Sequence, residues 1–352
     1  MKKMLICAVT SLACVSAMAQ ENLTIVTYGG SLAAAQTKAA IKPFSEKTGV
    51  KTTLEDYSGG IAQLKAQVDT KNVTWDVVDM ELPDAVRACN AGLFERINPS
   101  KDLEAGTGGA PVDVDFIFGA VTDCAVANII WSTAVAYNVN AFKGEQPATL
   151  KDFFDLNKFP GKRGLRKAPQ GTLEWALLAD GVPRNEVYST LETEAGIERA
   201  FAKLDSIKSQ VIWWEAGAQP PQLLADGQVV MTSAWNGRIW TAQTQEKQPF
   251  KIIWDGQLYD MDVWAVPAGS KNKARAMEFL KFATSTPVLA EQSKYIAYGP
   301  TRKSSQALVS EEMKPHLPTS PENFKTALQM NAEWWGDHAD ELNERFNAWL
   351  TK

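Results

Sequence analysis

Histidine is almost missing from this chain: there are two, His316 and His338, both near the C-terminal end. That leaves little from which to build a His-based catalytic triad or a multi-histidine metal centre, so neither catalytic residues, a metal nor a cofactor is expected. A nucleophile elbow and a phosphate-binding Gly-rich Lys motif are also absent from the sequence. An enzyme built on two carboxylates, as in glycosidases, stays compatible with the composition, because acidic residues are plentiful. Beyond residue 19 no stretch approaches the roughly 20 apolar residues that a membrane span requires. An excess of positive charge is lacking as well, which disfavours nucleic acid or an anionic membrane surface as partner.

The first 19 residues read as an export signal, with a basic start at Lys2 and Lys3, an apolar run from Met4 to Ser16, and the small-residue site Ala17-Met18-Ala19. The mature chain is expected to begin near Gln20, in the periplasm and without stable membrane insertion. Cys14 after Ser11-Leu12-Ala13 is a weaker match to a lipoprotein box, since Ser11 stands where an aliphatic residue belongs. Without Lys2 and Lys3 the 36 basic residues fall to 34 against 41 acidic, a net charge of −7. Of the four cysteines, Cys89 and Cys124 would remain, an even pair in an oxidising compartment where a disulfide is the default.

What the chain does have is a repeating strand–helix pattern. Leu23 to Tyr28 reads as a strand, Ala33 to Thr48 as a helix kinked at Pro43 and stopped by Gly49, and Val50 to Asp56 as the next strand. Gly60 to Asp69 and Pro83 to Ala91 read as helices around a short buried strand, Asp76 to Met80. This pattern predicts an α/β fold with a parallel-type sheet covered by helices. A chain this long exceeds one hydrophobic core, so two lobes are expected. The β-branched run from Asn128 to Asn138 predicts a strand passing between them, with Leu258 to Pro267 as the return crossing and Lys251 to Trp254 as a separate strand. The tail residues Trp335, Leu342, Phe346 and Trp349 have helical spacing and predict a stripe that covers a lobe.

Several segments then fall in the order of a known family. Tyr28, Glu46-Lys47-Thr48-Gly49-Val50, Trp75-Asp76-Val77-Val78, Ala91-Gly92-Leu93-Phe94-Glu95-Arg96-Ile97, Phe159-Pro160-Gly161-Lys162, Asp226-Gly227-Gln228-Val229-Val230-Met231, Trp235-Asn236-Gly237 and Met261-Asp262 resemble the spermidine/putrescine-type solute-binding proteins of ABC importers. The Cys89/Cys124 pair and the Trp-rich tail resemble a subgroup that includes 4-aminobutyrate binders. The resemblance implies a type II periplasmic-binding-protein fold, with residues 20–134 and 262–302 as lobe 1 and residues 135–261 and 303–352 as lobe 2. It also implies a monomer that closes on a small amine-bearing solute and delivers it to an ABC-transporter membrane permease.

In such folds ligands bind beyond the carboxyl ends of the strands. The loop Tyr28-Gly29-Gly30-Ser31 offers backbone N–H groups and a hydroxyl to an anion, or serves simply as a helix cap. Trp235 matches the family's ligand-stacking position, and Trp214 at a strand end is a candidate cleft wall. Arg238 is suited to grip a carboxylate through two parallel bonds, or to form an ion pair between lobes. Asp262 matches the carboxylate that binds an amine in the family, Asp260 lies on the same side of the strand, and Glu81 is a third acidic candidate. The polyamine binders carry aromatics near Gly30 and Ala33, and acidic residues near Lys167 to Gly171, that this chain lacks. A second ammonium would go unpaired, so the expected ligand is an ω-amino acid such as 4-aminobutyrate. Putrescine or spermidine is the alternative within the class. A dicarboxylate is a further one, for which Arg166 or Lys167 would supply the second cation.

Overall fold

The computed structural model describes residues 22–352, so the expected export signal, Cys14 and the expected cleavage site after Ala19 lie outside the described residues. Nine strands form one sheet in the order β2-β1-β3-β8-β4-β7-β5-β6, with the short β9 beside β8. They are β1 Asn22–Thr27, β2 Lys51–Asp56, β3 Val77–Glu81, β4 Ala125–Asn138, β5 Arg163–Arg166, β6 Val211–Trp214, β7 Met231–Trp235, β8 Phe250–Ala265 and β9 Leu328–Gln329. On each flank three strands run parallel. In the middle β4 and β8 run antiparallel to each other, and β3 and β7 pair antiparallel with them. The sheet is therefore mixed rather than the parallel type that the strand–helix alternation predicts, because the two long strands belong to neither flank's βαβ series.

Residues 251–265 also depart from the expected two strands, since they lie within one 16-residue strand. Gly256 allows the fusion. Its φ of +68° suits glycine, a Cβ there would meet Leu150 at 2.7 Å, and it lies where the register with β4 slips between Thr133 and Val135. A second slip falls between Ala127 and Ile129, so two register shifts bracket the stretch of β4 that faces Leu258 to Asp262. The helix from Gly30 to Thr48 carries a π turn at Thr37–Ile41 just ahead of Pro43, whose missing N–H unsettles the regular ladder.

Buried apolar side chains gather in two large clusters. One joins Leu23, Ile25, Phe44, Trp75, Val77, Phe116 and Trp264; the other joins Trp131, Phe153, Trp175, Trp214, Leu258, Trp335 and Phe346. Along β4 and β8 the membership changes near Ala127–Trp131 and Leu258–Met261. Leu32 and Ala35, from the first helix, pack into the second cluster and so tie the two together. The C-terminal helix Ala332–Leu350 buries Trp335, Leu342, Phe346 and Trp349, the stripe that its spacing predicts. Cys89 and Cys124 form a disulfide, Cα–Cα 5.9 Å, linking the helix Leu82–Asn90 to the entrance of β4. Among the described residues no helix is long and apolar enough to cross a membrane.

Candidate ligand-binding site

The carboxyl ends of β1, β3, β5 and β7 converge where the central strands cross. There Tyr28, Leu32, Glu81, Trp131, Trp235, Asp262 and Tyr298 line a small, partly open pocket. Trp235 organises its aromatic side. Its ring meets Tyr28 (centroids 5.8 Å), Trp131 (6.0 Å) and Trp214 (5.6 Å), all edge to face, the favoured geometry for aromatic quadrupoles.

Two carboxylates enter this aromatic box. Glu81 ends β3 and lies opposite Asp262 of β8 in the antiparallel register, a placement that sets like charges on neighbouring positions. Their environments differ. Arg166 donates Nη1–H to both oxygens of Glu81, at 2.9 and 3.2 Å, and Gln170 donates at 3.4 Å. Asp262 has no such cation, and its Oδ1 is buried without a hydrogen-bond partner among the described residues. Burial first, and then the charges of Asp79, Glu81 and Asp260, push its carboxyl well above the usual range. The nearby Trp131 indole opposes this only weakly, for its Nε1 does not meet hydrogen-bond geometry. Behind Asp262, burial raises Asp79 to about 7 against hydrogen bonds from Gln36, Asn128 and Thr27.

Donors gather beside the pocket. Arg238 donates to the carbonyls of Gly29 and Tyr28 (2.9 and 3.2 Å) and to Ser31 Oγ (3.2 Å), while its Nε is buried without a partner. Gly30 is required there, since a Cβ would meet Arg238 Nη1 at 2.5 Å. The Trp235 Nε1–H is likewise buried and unpartnered among the described residues. The guanidinium thus spends its terminal nitrogens on the Tyr28–Ser31 loop and presents no free bidentate fork.

Of the residues singled out from sequence, Tyr28, Glu81, Trp235 and Asp262 line the cavity, with Arg238, Gly30 and Ser31 in contact with one another beside it. Trp214 and Asp260 do not form the wall. Trp214 stands behind Trp235 and donates its indole N–H to Ser233. Asp260 is buried and accepts from the Met261 N–H, leaving Oδ2 without a partner among the described residues. Lys167 pairs with Glu215 at the surface. Sequence reasoning missed Leu32, Trp131 and Tyr298 as wall residues. Trp131 falls inside the crossing run, where alternation alone signals an inward side chain. Tyr298 follows no motif and is brought in by the exchange of hydrogen bonds between Gly299 and Ile130.

A small pocket at the meeting of two fans of parallel strands, walled by carboxylates and aromatic rings with buried donors beside it, defines a receptor for a small polar solute. The chain belongs to the bacterial extracellular solute-binding proteins, whose family model matches residues 39–319. It is 44% identical over 332 residues to the gamma-aminobutyric acid-binding protein of Pseudomonas aeruginosa, covering 94% of this chain and 92% of that one. The spermidine/putrescine-binding periplasmic protein of Salmonella typhimurium is 24% identical over 305 residues, 85% of this chain and 83% of its own. The solved structure of a GABA receptor superposes with a TM-score of 0.81 at 34% identity, covering 94% of this chain and 98% of that one.

Proposed function

We propose that this protein captures an ω-amino acid, 4-aminobutyrate before others, and hands it to the membrane permease of an ABC importer after export by residues 1–19. One observation carries the reading: of the two carboxylates in the pocket wall, Glu81 already has its cation in Arg166, and only Asp262 keeps an unpaired oxygen. Such a pocket calls for one ammonium, not two. Beside the wall, the unpartnered Nε of Arg238 and Nε1 of Trp235, with the Ser31 hydroxyl, are suited to a carboxylate. The relative named for gamma-aminobutyric acid supports the same choice. Closure would rotate lobe 1 (residues 20–134 and 262–302) against lobe 2 (residues 135–261 and 303–352) about β4 and β8. The change of core membership along those strands supports that division.

A thermal-shift screen tests the ligand. At 100 times its Kd, 4-aminobutyrate should stabilise the ligand-stripped protein by about 2.7 kcal/mol. Over a chain of this size that is a rise of roughly 4 °C, and putrescine should give none. A response to putrescine alone would overturn the reading.

The raised carboxyl of Asp262 adds a pH signature. Its folded value lies above the unfolded value of about 3.9, so the unliganded protein loses stability as pH rises through that window. A bound ammonium favours the ionised form and reverses this. Binding should therefore release protons, and affinity should climb as pH increases toward the raised folded value. Calorimetry in buffers of different ionisation enthalpy reads the release directly. Heats that do not depend on the buffer would show that Asp262 does not meet the cation.

A further inference from the structure

We propose that Arg166 is the specificity-determining residue of this pocket: its guanidinium occupies the seat that the far ammonium of a diamine would need, and so restricts the site to ligands with one positive charge. The inference rests on the ligand reading above. An ammonium in an aromatic cleft is held best by a carboxylate and an indole face together. Arg166, at the end of β5, holds that combination itself. It lies 2.9 Å from Glu81 Oε1 and 3.2 Å from Oε2, and its guanidinium carbon is 5.3 Å from the centroid of the Trp235 ring.

Glu81 has no other ion-pair partner among the described residues. The neighbouring cations cannot take over this role, since Arg238 is committed to the Tyr28–Ser31 loop and Lys167 to Glu215. The Glu81 side chain is only 3% exposed, so a carboxylate stripped of Arg166 would be buried and unpaired. The antiparallel register places Glu81 beside Asp262, and both enter the same cavity. Two carboxylates and one built-in cation leave a single negative site for the ligand. A diamine would have to displace a part-buried guanidinium that is held through Nη1 on both Glu81 oxygens, whereas a zwitterion need not.

The test compares the affinities of putrescine and 4-aminobutyrate by calorimetry in the wild type, in Arg166→Met and in Arg166→Met combined with Glu81→Gln. The ratio of putrescine to 4-aminobutyrate affinity should rise about 100-fold or more in Arg166→Met. It should fall back in the double variant, where the freed carboxylate is gone. If Arg166→Met still binds 4-aminobutyrate and the ratio stays within about threefold, the inference fails and the ligand reading stands. A wild type that already prefers putrescine overturns both. Should Arg166→Met not fold, Arg166→Gln, which keeps a hydrogen bond to Glu81, carries the same comparison with the same expected direction.

Discussion

Asp262→Asn should weaken 4-aminobutyrate binding by at least 100-fold while raising the melting temperature of the unliganded protein. The two effects share a cause. The carboxylate is buried beside Trp131 and Trp235, opposite Glu81, with Asp79 and Asp260 close enough to raise its pKa, and its Oδ1 lacks a partner. In the absence of a cation, ionising Asp262 costs stability, and the amide removes that cost. With an ammonium present the same charge becomes the main anchor, because a pair shielded from water interacts far more strongly than one in bulk solvent. Removing one partner of such a buried pair costs about 3–5 kcal/mol, and each 1.4 kcal/mol is tenfold in affinity. Calorimetry with a melting curve of the same sample separates lost binding from lost folding. Affinity within about fivefold of wild type would show that the ammonium sits elsewhere.

Replacing both Cys89 and Cys124 by Ser should lower stability by about 4 kcal/mol, from the entropy of releasing a 35-residue loop. The melting temperature should drop by roughly 6 °C. The loop explains why the bond matters. Between the two cysteines the chain forms only four-residue α-helices at Pro99–Asp102 and Val112–Asp115 and a short 3-10 turn, yet it contributes Leu93, Phe94, Leu103, Val112 and Phe116 to the first core. Turns and single helical turns, such as Leu103 N–H on the Pro99 carbonyl and Phe116 N–H on the Val112 carbonyl, hold those side chains, so the covalent tie at its ends restricts a segment with little regular secondary structure. Melting under reducing conditions should reproduce the variant. A melting temperature within about 1 °C of wild type in both experiments would mean that packing alone orders the loop.

Much of this site was legible because its chemistry sits at strand ends. Tyr28, Glu81 and Trp235 each follow or end a run of buried β residues, and a strand end flanked by Gly, Pro or Asn is a local signal. Asp262 was legible through the family's pattern. The two crossings were expected to pair, but their register was not legible, because it depends on contacts between residues more than a hundred positions apart. The same holds for Tyr298, carried in by the Gly299–Ile130 bridge, and for the reach of Arg166 to Glu81. Arg238 shows the limit most clearly: residue type suggested a carboxylate clamp, but the carbonyls of the Tyr28–Ser31 loop take its terminal nitrogens. Trp214 and Asp260 were placed one layer too near the cavity, since relative depth is set by packing that spacing does not encode.

The two register shifts that interrupt the β4/β8 pairing, one a bulge at Asn128 and one an excursion of residues 254–257, have a mechanical meaning. Between them lies a short ladder from Ile129↔Asp262 to Thr133↔Leu258, carrying Trp131 and Asp262. Bulges are where a paired ribbon bends and twists most easily. Flexure should concentrate at these two joints and leave the ladder between them as a stiff plate, much like the pin of a door. Whatever Asp262 holds would then ride on the axis and be displaced least as the halves swing.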